Sequence, residues 1–289
     1  MTNTNKYLEF YKKFKKNKSA LIGLYIVIIL IICAITAPFI SPYDPLIQNL
    51  DNRLIPPFWN ENGSLAHILG TDDFGRDLLS RIIYGARISI VIGIISVSIS
   101  LIFGVLMGSV AGYFGGITDI IIMRIIDIML SLPAILLAIV IVAILGPDLF
   151  NAMIAIGIVG IPTFARIVRA SVLAEKEKEY VIASRVNGSS SSRLIISVIL
   201  PNCTTPLIVQ STMGFASAVL EAAGLSFLGL GAQAPTPEWG AMLSDSLQFI
   251  TSAYWMILYP GLAIFLTVMG FNLMGDGLMD VLDPKMKDK

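Results

Sequence analysis

The run ISIVIGIISVSISLIFGVLMGSVAG, residues 88–112, contains no charged side chain. A helix of about 20 apolar residues is long enough to cross the ~30 Å hydrocarbon core of a bilayer. Every fourth position falls on one helix face, and here that face carries only small side chains, which let helix backbones approach closely in lipid. We predict a transmembrane helix that packs tightly in a bundle, with pore lining as the alternative role of the stripe. The stripe consists of Ser96, Ser100, Gly104, Gly108 and Gly112.

Five further apolar runs have a similar character: 20–39, 128–145, 149–165, 203–225 and 254–275. The predicted fold class is therefore an all-α integral membrane protein with about six transmembrane helices. The first run follows a long basic leader and exceeds the usual apolar core of a signal peptide, so we expect a retained helix.

Composition supports a bilayer as the solvent for this chain. Of the 289 residues, 55% are hydrophobic and only 14% are charged, with a mean hydropathy of +0.80. Soluble domains carry about 25% charged residues, so too little polar surface remains to cover a water-soluble particle. The net charge of zero gives no sign of a nucleic-acid partner. The single histidine and two distant cysteines match no metal-site spacing, and we predict neither a metal site nor catalytic residues.

Lysine and arginine lie mainly in three segments, which an arrangement of six spans places on one side: the N-terminal tail, residues 166–193 and the C-terminal tail. Cytoplasmic loops are enriched in these residues. We therefore predict a multi-pass protein of the cell membrane with both termini in the cytoplasm.

Two acids lie near the predicted hydrocarbon region, where an unpaired carboxylate is costly. Asp127 follows Arg124 by three residues, a spacing that predicts a pair on one helix face. Glu221 is predicted to form an interhelical hydrogen-bond anchor, with pore lining as the alternative.

The long loop at 41–86 ends in a pattern typical of a helix start. With Asp72 or Asp73 as N-cap, Phe74, Leu78 and Ile82 follow at helical spacing. We predict a short helix that lies on the membrane surface and leads into the second span.

The loop between the fourth and fifth spans contains a second short helix. Residues 175–179 alternate in charge and are typical of a solvated helix end. The helix that follows ends at Asn187 and Gly188, because glycine readily adopts the left-handed conformation found just after helices. A helix of about two turns is marginal in water, which favours a helix docked on a partner.

Several motifs together resemble the permease subunits of ABC-type dipeptide and oligopeptide importers, specifically the C-type member of the permease pair. The resemblance covers about 69–284, with 1–68 matching more loosely as the N-terminal tail, first helix and outer loop, and 285–289 forming the C-terminal tail. The motifs are 69–77 (LGTDDFGRD), 83–89 (IYGARIS), 111–116 (AGYFGG), 225–231 (LSFLGLG), 235–240 (PTPEWG) and 271–278 (FNLMGDGL).

The loop at about 175–202 resembles the EAA motif of that family. Ile182 stands where the motif has glutamate and Ser184 where it has its second alanine, and the earlier acid Glu179 matches a variation common in peptide-type members. The resemblance implies that this loop docks on an ATPase subunit. The residues implied in coupling are Glu179, Tyr180, Ala183, Ser184, Arg185, Gly188 and Pro201.

The resemblance implies the type I ABC importer permease fold (MetI-like) and a subunit that forms half of a pore for peptides. It also implies three kinds of protein partner, besides the bilayer and the peptide: a second homologous permease, two ATPase subunits and an external substrate-binding protein. The chain has no phosphate-loop motif, so ATP and Mg are expected on the ATPase subunits, with no cofactor in this chain.

Three alternatives remain open at this point. The same machine could carry nickel or another small solute. A self-sufficient secondary transporter would need several buried polar groups near the midplane, and few are visible. A membrane enzyme would need a cluster of nucleophile, base or metal ligands, which the sequence does not suggest.

Overall fold

The computed structural model describes residues 14–282, and every regular element in that range is helical. A single isolated bridge joins Thr71 and Asp77. The helices, which we number α1 to α9, are Lys18–Ile40, Leu78–Phe114, Gly116–Leu130, Ala134–Leu145, Leu149–Glu175, Glu179–Val186, Thr204–Phe227, Trp239–Ser246 and Trp255–Leu282.

Within the described residues, five helical stretches are long and apolar enough to cross a membrane, and the pair α3 and α4 makes a sixth if it counts as one span. The all-α fold with about six spans is thus confirmed. The third span differs from the continuous helix predicted at 128–145. Its two halves are bent by 93° at the break 131–133. Pro133 lies in this break and has no N–H group to continue a helix ladder.

Helix α2 begins ten residues earlier than predicted and has 37 residues, about 55 Å at 1.5 Å per residue. Asp77, and not Asp72 or Asp73, is its N-cap, and its carboxylate accepts a hydrogen bond from the Ser80 N–H at 2.8 Å. The predicted separate surface helix is therefore wrong. Phe74 lies in a turn before the cap, and Leu78 is buried at the start of the long helix.

The small-residue stripe of α2 lies against α5 along its whole length. The hydroxyls of Ser96 and Ser100 donate to backbone carbonyls of α5 at 3.0 and 2.7 Å. A Cβ added at Gly104 or Gly108 would lie 2.4 Å from atoms of α5. This approach is closer than a larger side chain allows, and Gly112 continues the contact against Arg169 and Val172.

Ion pairs tie α3 to α5. The Arg169 guanidinium makes two hydrogen bonds with Asp119, at 2.5 and 2.6 Å. Asp127 accepts from Arg166 at 2.6 Å, and so the predicted pairing with Arg124 is wrong. Arg124 on the same helix and Arg166 on a second helix are both possible partners of Asp127. Arg166 is the one that lies within hydrogen-bond distance.

The bundle has two distinguishable ends. Asn17 donates to Asp280 at 3.0 Å, which brings the first and last helices together at what we call the terminal end. Lys176 donates to the carbonyl of Gly112 at 3.0 Å, so the loop after α5 lies at this end too. The predicted tail lysines before residue 14 and after residue 282 lie outside the described residues. Residues 41–77 and 228–254 lie at the opposite end.

Candidate functional site

The short helix α6 is attached to the bundle along one side. Val181 is completely buried and packs with Val168, Val172 and Leu194. Just before it, Glu175 accepts hydrogen bonds from the Tyr180 hydroxyl and, at 2.6 Å, from Lys178. Desolvation and the Glu175 hydrogen bond raise the pKa of Tyr180 to about 12, so this phenol is protonated and donates at neutral pH.

Glu175 is a residue that the sequence analysis missed. Its segment is typical of a solvated helix end, but its side chain is only 10% exposed and holds the start of α6 against α5. The spacing of Glu175 to Lys178 was a signal for such a pair, since side chains three apart share a helix face. Nothing in the sequence indicates the Tyr180 contact.

The other side of α6 is exposed and mostly apolar. Val186 is 81% exposed, Ile182 is 44% exposed and Tyr180 is 42% exposed. Ala183 is exposed as well. The guanidinium of Arg185 lies over the Tyr113 ring, 5.8 Å from its centroid. Large exposed apolar side chains on so short a helix are typical of a protein contact surface.

The end of α6 is as predicted. The Gly188 backbone has φ +81°, and its N–H donates to the carbonyl of Arg185 at 3.0 Å. Ser184 and Ser189 close the same turn through a backbone hydrogen bond at 3.2 Å and a side-chain contact at 3.0 Å. A Cβ added at Gly188 meets no atom within 4 Å, so only the backbone conformation restricts this position.

The chain then returns to the membrane through a distorted helical segment, 191–203. A short turn leads into a π-helical stretch, Leu194–Ile199, and a 3₁₀ stretch, Leu200–Cys203. Pro201 lies in the second stretch, exposed, where its missing N–H removes a helix hydrogen bond. The interruption predicted around Pro201 is present.

Glu221 lies on α7, partly buried, and faces a cavity of about 180 Å³ between α2, α5 and α7. Its carboxylate makes no hydrogen bond or ion pair with the described residues 14–282. The two predicted roles, interhelical anchor and pore lining, both stay predictions.

At the opposite end of the bundle, five buried side chains form what we call the Asp72 network: His67, Asp72, Arg76, Asp77 and Arg81. Asp72 accepts from Arg76 Nε at 2.6 Å and lies 3.5 Å from Arg81 Nε. Asp77 accepts from Ser80 and contacts the His67 ring at 3.0 Å. The only histidine is thus part of a polar network that closes the 41–77 loop.

Two tryptophans hold the network to neighbouring segments. The indole N–H of Trp255 donates to Thr71 and that of Trp239 to Ile82, both at 3.1 Å. Arg81 also donates to the backbone carbonyl of Pro45 at 3.1 Å. These contacts tie the network to several segments of the chain, which indicates a structural role.

Comparison with known proteins agrees with this geometry. Residues 104–288 match the family described as binding-protein-dependent transport system inner membrane component. Residues 7–57 match the N-terminal transmembrane domain of oligopeptide transport permease C.

Three curated relatives match nearly the full length of the chain. The dipeptide transport system permease protein DppC of Escherichia coli K12 is 56% identical over 96% of this chain and 93% of its own. The protein of the same name in Haemophilus influenzae is 53% identical over 96% and 95%. The di/tripeptide transport system permease protein DppC of Pseudomonas aeruginosa is 52% identical over 97% and 92%.

An inward-facing structure of the MetNI methionine ABC transporter is similar in fold, with a TM-score of 0.56 at 19% identity. The match covers 70% of this chain and 97% of that one. It confirms the predicted type I importer permease fold. The matched relatives are transport components and not enzymes, and the chain is a multi-pass membrane protein. By its family match and its near full-length relatives, the chain belongs to the binding-protein-dependent transport system inner membrane components.

Proposed function

We propose that this subunit forms one half of the translocation pore of an ATP-driven importer whose cargo is a dipeptide. The observation that carries this proposal is the 52–56% identity to dipeptide and di/tripeptide permeases over nearly the whole chain. The second half of the pore is a homologous permease. An external substrate-binding protein delivers the peptide, and two ATPase subunits bind ATP and Mg.

The exposed side of α6 is the surface through which an ATPase subunit acts on the pore. Val181 and the Glu175 contacts fix α6 to α5, so a force on α6 reaches the bundle directly. The coupling residues proposed are Glu179, Tyr180, Ala183, Ser184, Arg185 and Gly188, with Pro201 at the re-entry into the membrane. Nucleotide binding biases a two-state bundle, and alternating access follows from that bias.

This assignment places the terminal end of the bundle in the cytoplasm. The segment 166–193 and the tails carry most of the lysine and arginine, as cytoplasmic segments do. The Asp72 network then faces the side from which the binding protein arrives.

The test is uptake by the complete reconstituted complex: both permeases, both ATPases and the binding protein. We expect uptake of a labelled dipeptide that requires ATP and stops when this subunit is left out. Uptake of nickel without uptake of dipeptide would overturn the cargo. Uptake driven by a proton gradient without ATP would support a secondary transporter, and cleavage of the peptide without uptake would support a membrane enzyme.

A further inference from the structure

The cavity between α2, α5 and α7 lies within the membrane-spanning part of the bundle. Its volume of about 180 Å³ is far above the ~15 Å³ that admits one water molecule. Polar side chains from all three helices line it: Ser96, Ser100, Thr163, Gln210, Ser217 and Glu221.

Only two of these six side chains make hydrogen bonds to described residues. The hydroxyls of Ser96 and Ser100 donate to carbonyls of α5. The side chains of Thr163, Gln210 and Ser217, like that of Glu221, make no hydrogen bond to any described residue. Four groups that can bind a polar ligand therefore remain available around one cavity.

Helix α7 directs three of these groups to the cavity from a single face. Gln210, Ser217 and Glu221 follow at spacings of seven and four residues, which return to the same side of a helix. Gly214, on the same face, also lines the cavity and leaves it open. About 16 Å of helix separates the amide of Gln210 from the carboxylate of Glu221 at 1.5 Å per residue.

The charge of the cavity has one sign. Among the described residues that line it, Glu221 is the only ionisable one, and none is a lysine or arginine. An ionised carboxylate at membrane depth is costly unless it is paired or hydrated, and its own described chain offers it no partner. A cation or a strong hydrogen-bond donor that enters the cavity would supply the partner that the described residues 14–282 do not.

We propose that Glu221 binds the α-ammonium group of the peptide as it passes through the pore, an inference that rests on the proposed function. A dipeptide carries one ammonium group, and the other open side chains suit its neutral peptide bond. A single carboxylate, with no second charge beside it among the lining residues, binds firmly enough to admit the cargo and loosely enough to release it.

The test compares two cargoes in the reconstituted complex: a dipeptide and its desamino analogue, which has hydrogen in place of the α-amino group. The binding protein is saturated with each cargo, and its occupancy is measured separately. We expect the wild type to import the dipeptide about ten-fold faster than the analogue, the effect of one charge-assisted hydrogen bond. In Glu221→Gln the dipeptide rate should fall to that of the analogue, and the analogue rate should stay within about two-fold.

Two variants serve as controls. Glu221→Asp keeps the charge and should restore part of the preference. Glu61→Gln removes an exposed carboxylate in the 41–77 loop and should leave both rates unchanged.

The outcomes separate this site from the proposed function. Equal slowing of both cargoes in Glu221→Gln would show an anchor, to the partner permease for example, and would overturn the ammonium site alone. Equal rates for the two cargoes in the wild type would overturn it as well. If the wild type imports neither cargo with ATP, the proposed function fails and this site fails with it.

Discussion

The Asp72 network and the short helix α6 lie at opposite ends of the bundle. The 69–77 motif contains Asp72, Arg76 and Asp77 of the network, and the EAA-like loop contains α6. The network buries its side chains, each 7% exposed or less, and pairs them in two groups, His67 with Asp77, and Arg76 and Arg81 with Asp72. Helix α6 buries one residue, Val181, and exposes most of the others. The first motif therefore makes its contacts within the chain, while the second presents its side chains at the surface.

This difference indicates what each motif does. A buried charged network has one well-packed arrangement, and removal of one member leaves another charge without its partner. An exposed helix end can be changed at little cost to the fold, and the consequence should appear in whatever binds there. Substitutions in the Asp72 network should therefore reduce the amount of folded subunit. Substitutions in α6 should instead reduce transport by a subunit that still folds.

The largest expected effect comes from Asp72→Asn. The substitution leaves the Arg76 and Arg81 guanidinium groups buried without their anion, which costs about 3–5 kcal/mol in comparable buried pairs. We expect little or no folded subunit in the membrane. The measurement is the amount of monodisperse subunit recovered in detergent, relative to wild type.

Asp51→Asn is the matched control for that experiment. Asp51 lies in the same loop, and its carboxylate is exposed and makes no hydrogen bond to a described residue. Its substitution should leave recovery unchanged. Normal recovery of Asp72→Asn would show that the network is not needed for folding and would remove the contrast with α6.

We expect Gly188→Val to have a smaller effect on the folding of the subunit and a large effect on transport. The left-handed backbone at Gly188 costs a β-branched residue about 1–2 kcal/mol, which is relieved if the end of α6 rearranges. The subunit should still insert, because no atom crowds this position. We expect dipeptide uptake per subunit to fall at least about five-fold, the factor that corresponds to ~1 kcal/mol.

Gly229→Val is a control with the same backbone problem at the opposite end. Gly229 has φ +76° and equally open surroundings. It should not alter the co-purification of the ATPases, whereas Gly188→Val should weaken it. Normal uptake and normal ATPase retention in Gly188→Val would falsify the coupling role of this glycine.

Features that depend on local chemistry could be predicted from the sequence. The end of α6 at Gly188 follows from the backbone preference of glycine, and the spans follow from apolar length. Features that depend on a second helix could not. Arg166, for example, reaches Asp127 from α5. The burial of Glu175 likewise depends on Tyr180, which a charge pattern does not reveal.

The smallest expected effect comes from a second acid in the same loop as the Asp72 network. Asp73 lies next to Asp72, and one of its buried carboxylate oxygens has no hydrogen-bond partner among the described residues. Burial, followed by the charge of Asp72, raises the pKa of Asp73, although Arg76 opposes the shift and Asp245 adds slightly to it.

The raised pKa of Asp73 determines how its contribution to the stability of the subunit changes with pH. A carboxyl group whose pKa is higher in the folded state stabilises the fold when protonated, and this contribution is lost as pH rises through the folded-state pKa. At neutral pH the ionised Asp73 is therefore a net cost to the fold. Asp73→Asn should stabilise the subunit slightly at pH 7, on the order of 0.5 kcal/mol, and the gain should shrink toward pH 4. Melting temperatures in detergent across this range, with Asp51→Asn measured alongside, test the expectation. A gain that is larger at pH 4 than at pH 7 would contradict it, because protonation in acid removes the cost of the ionised Asp73 carboxylate.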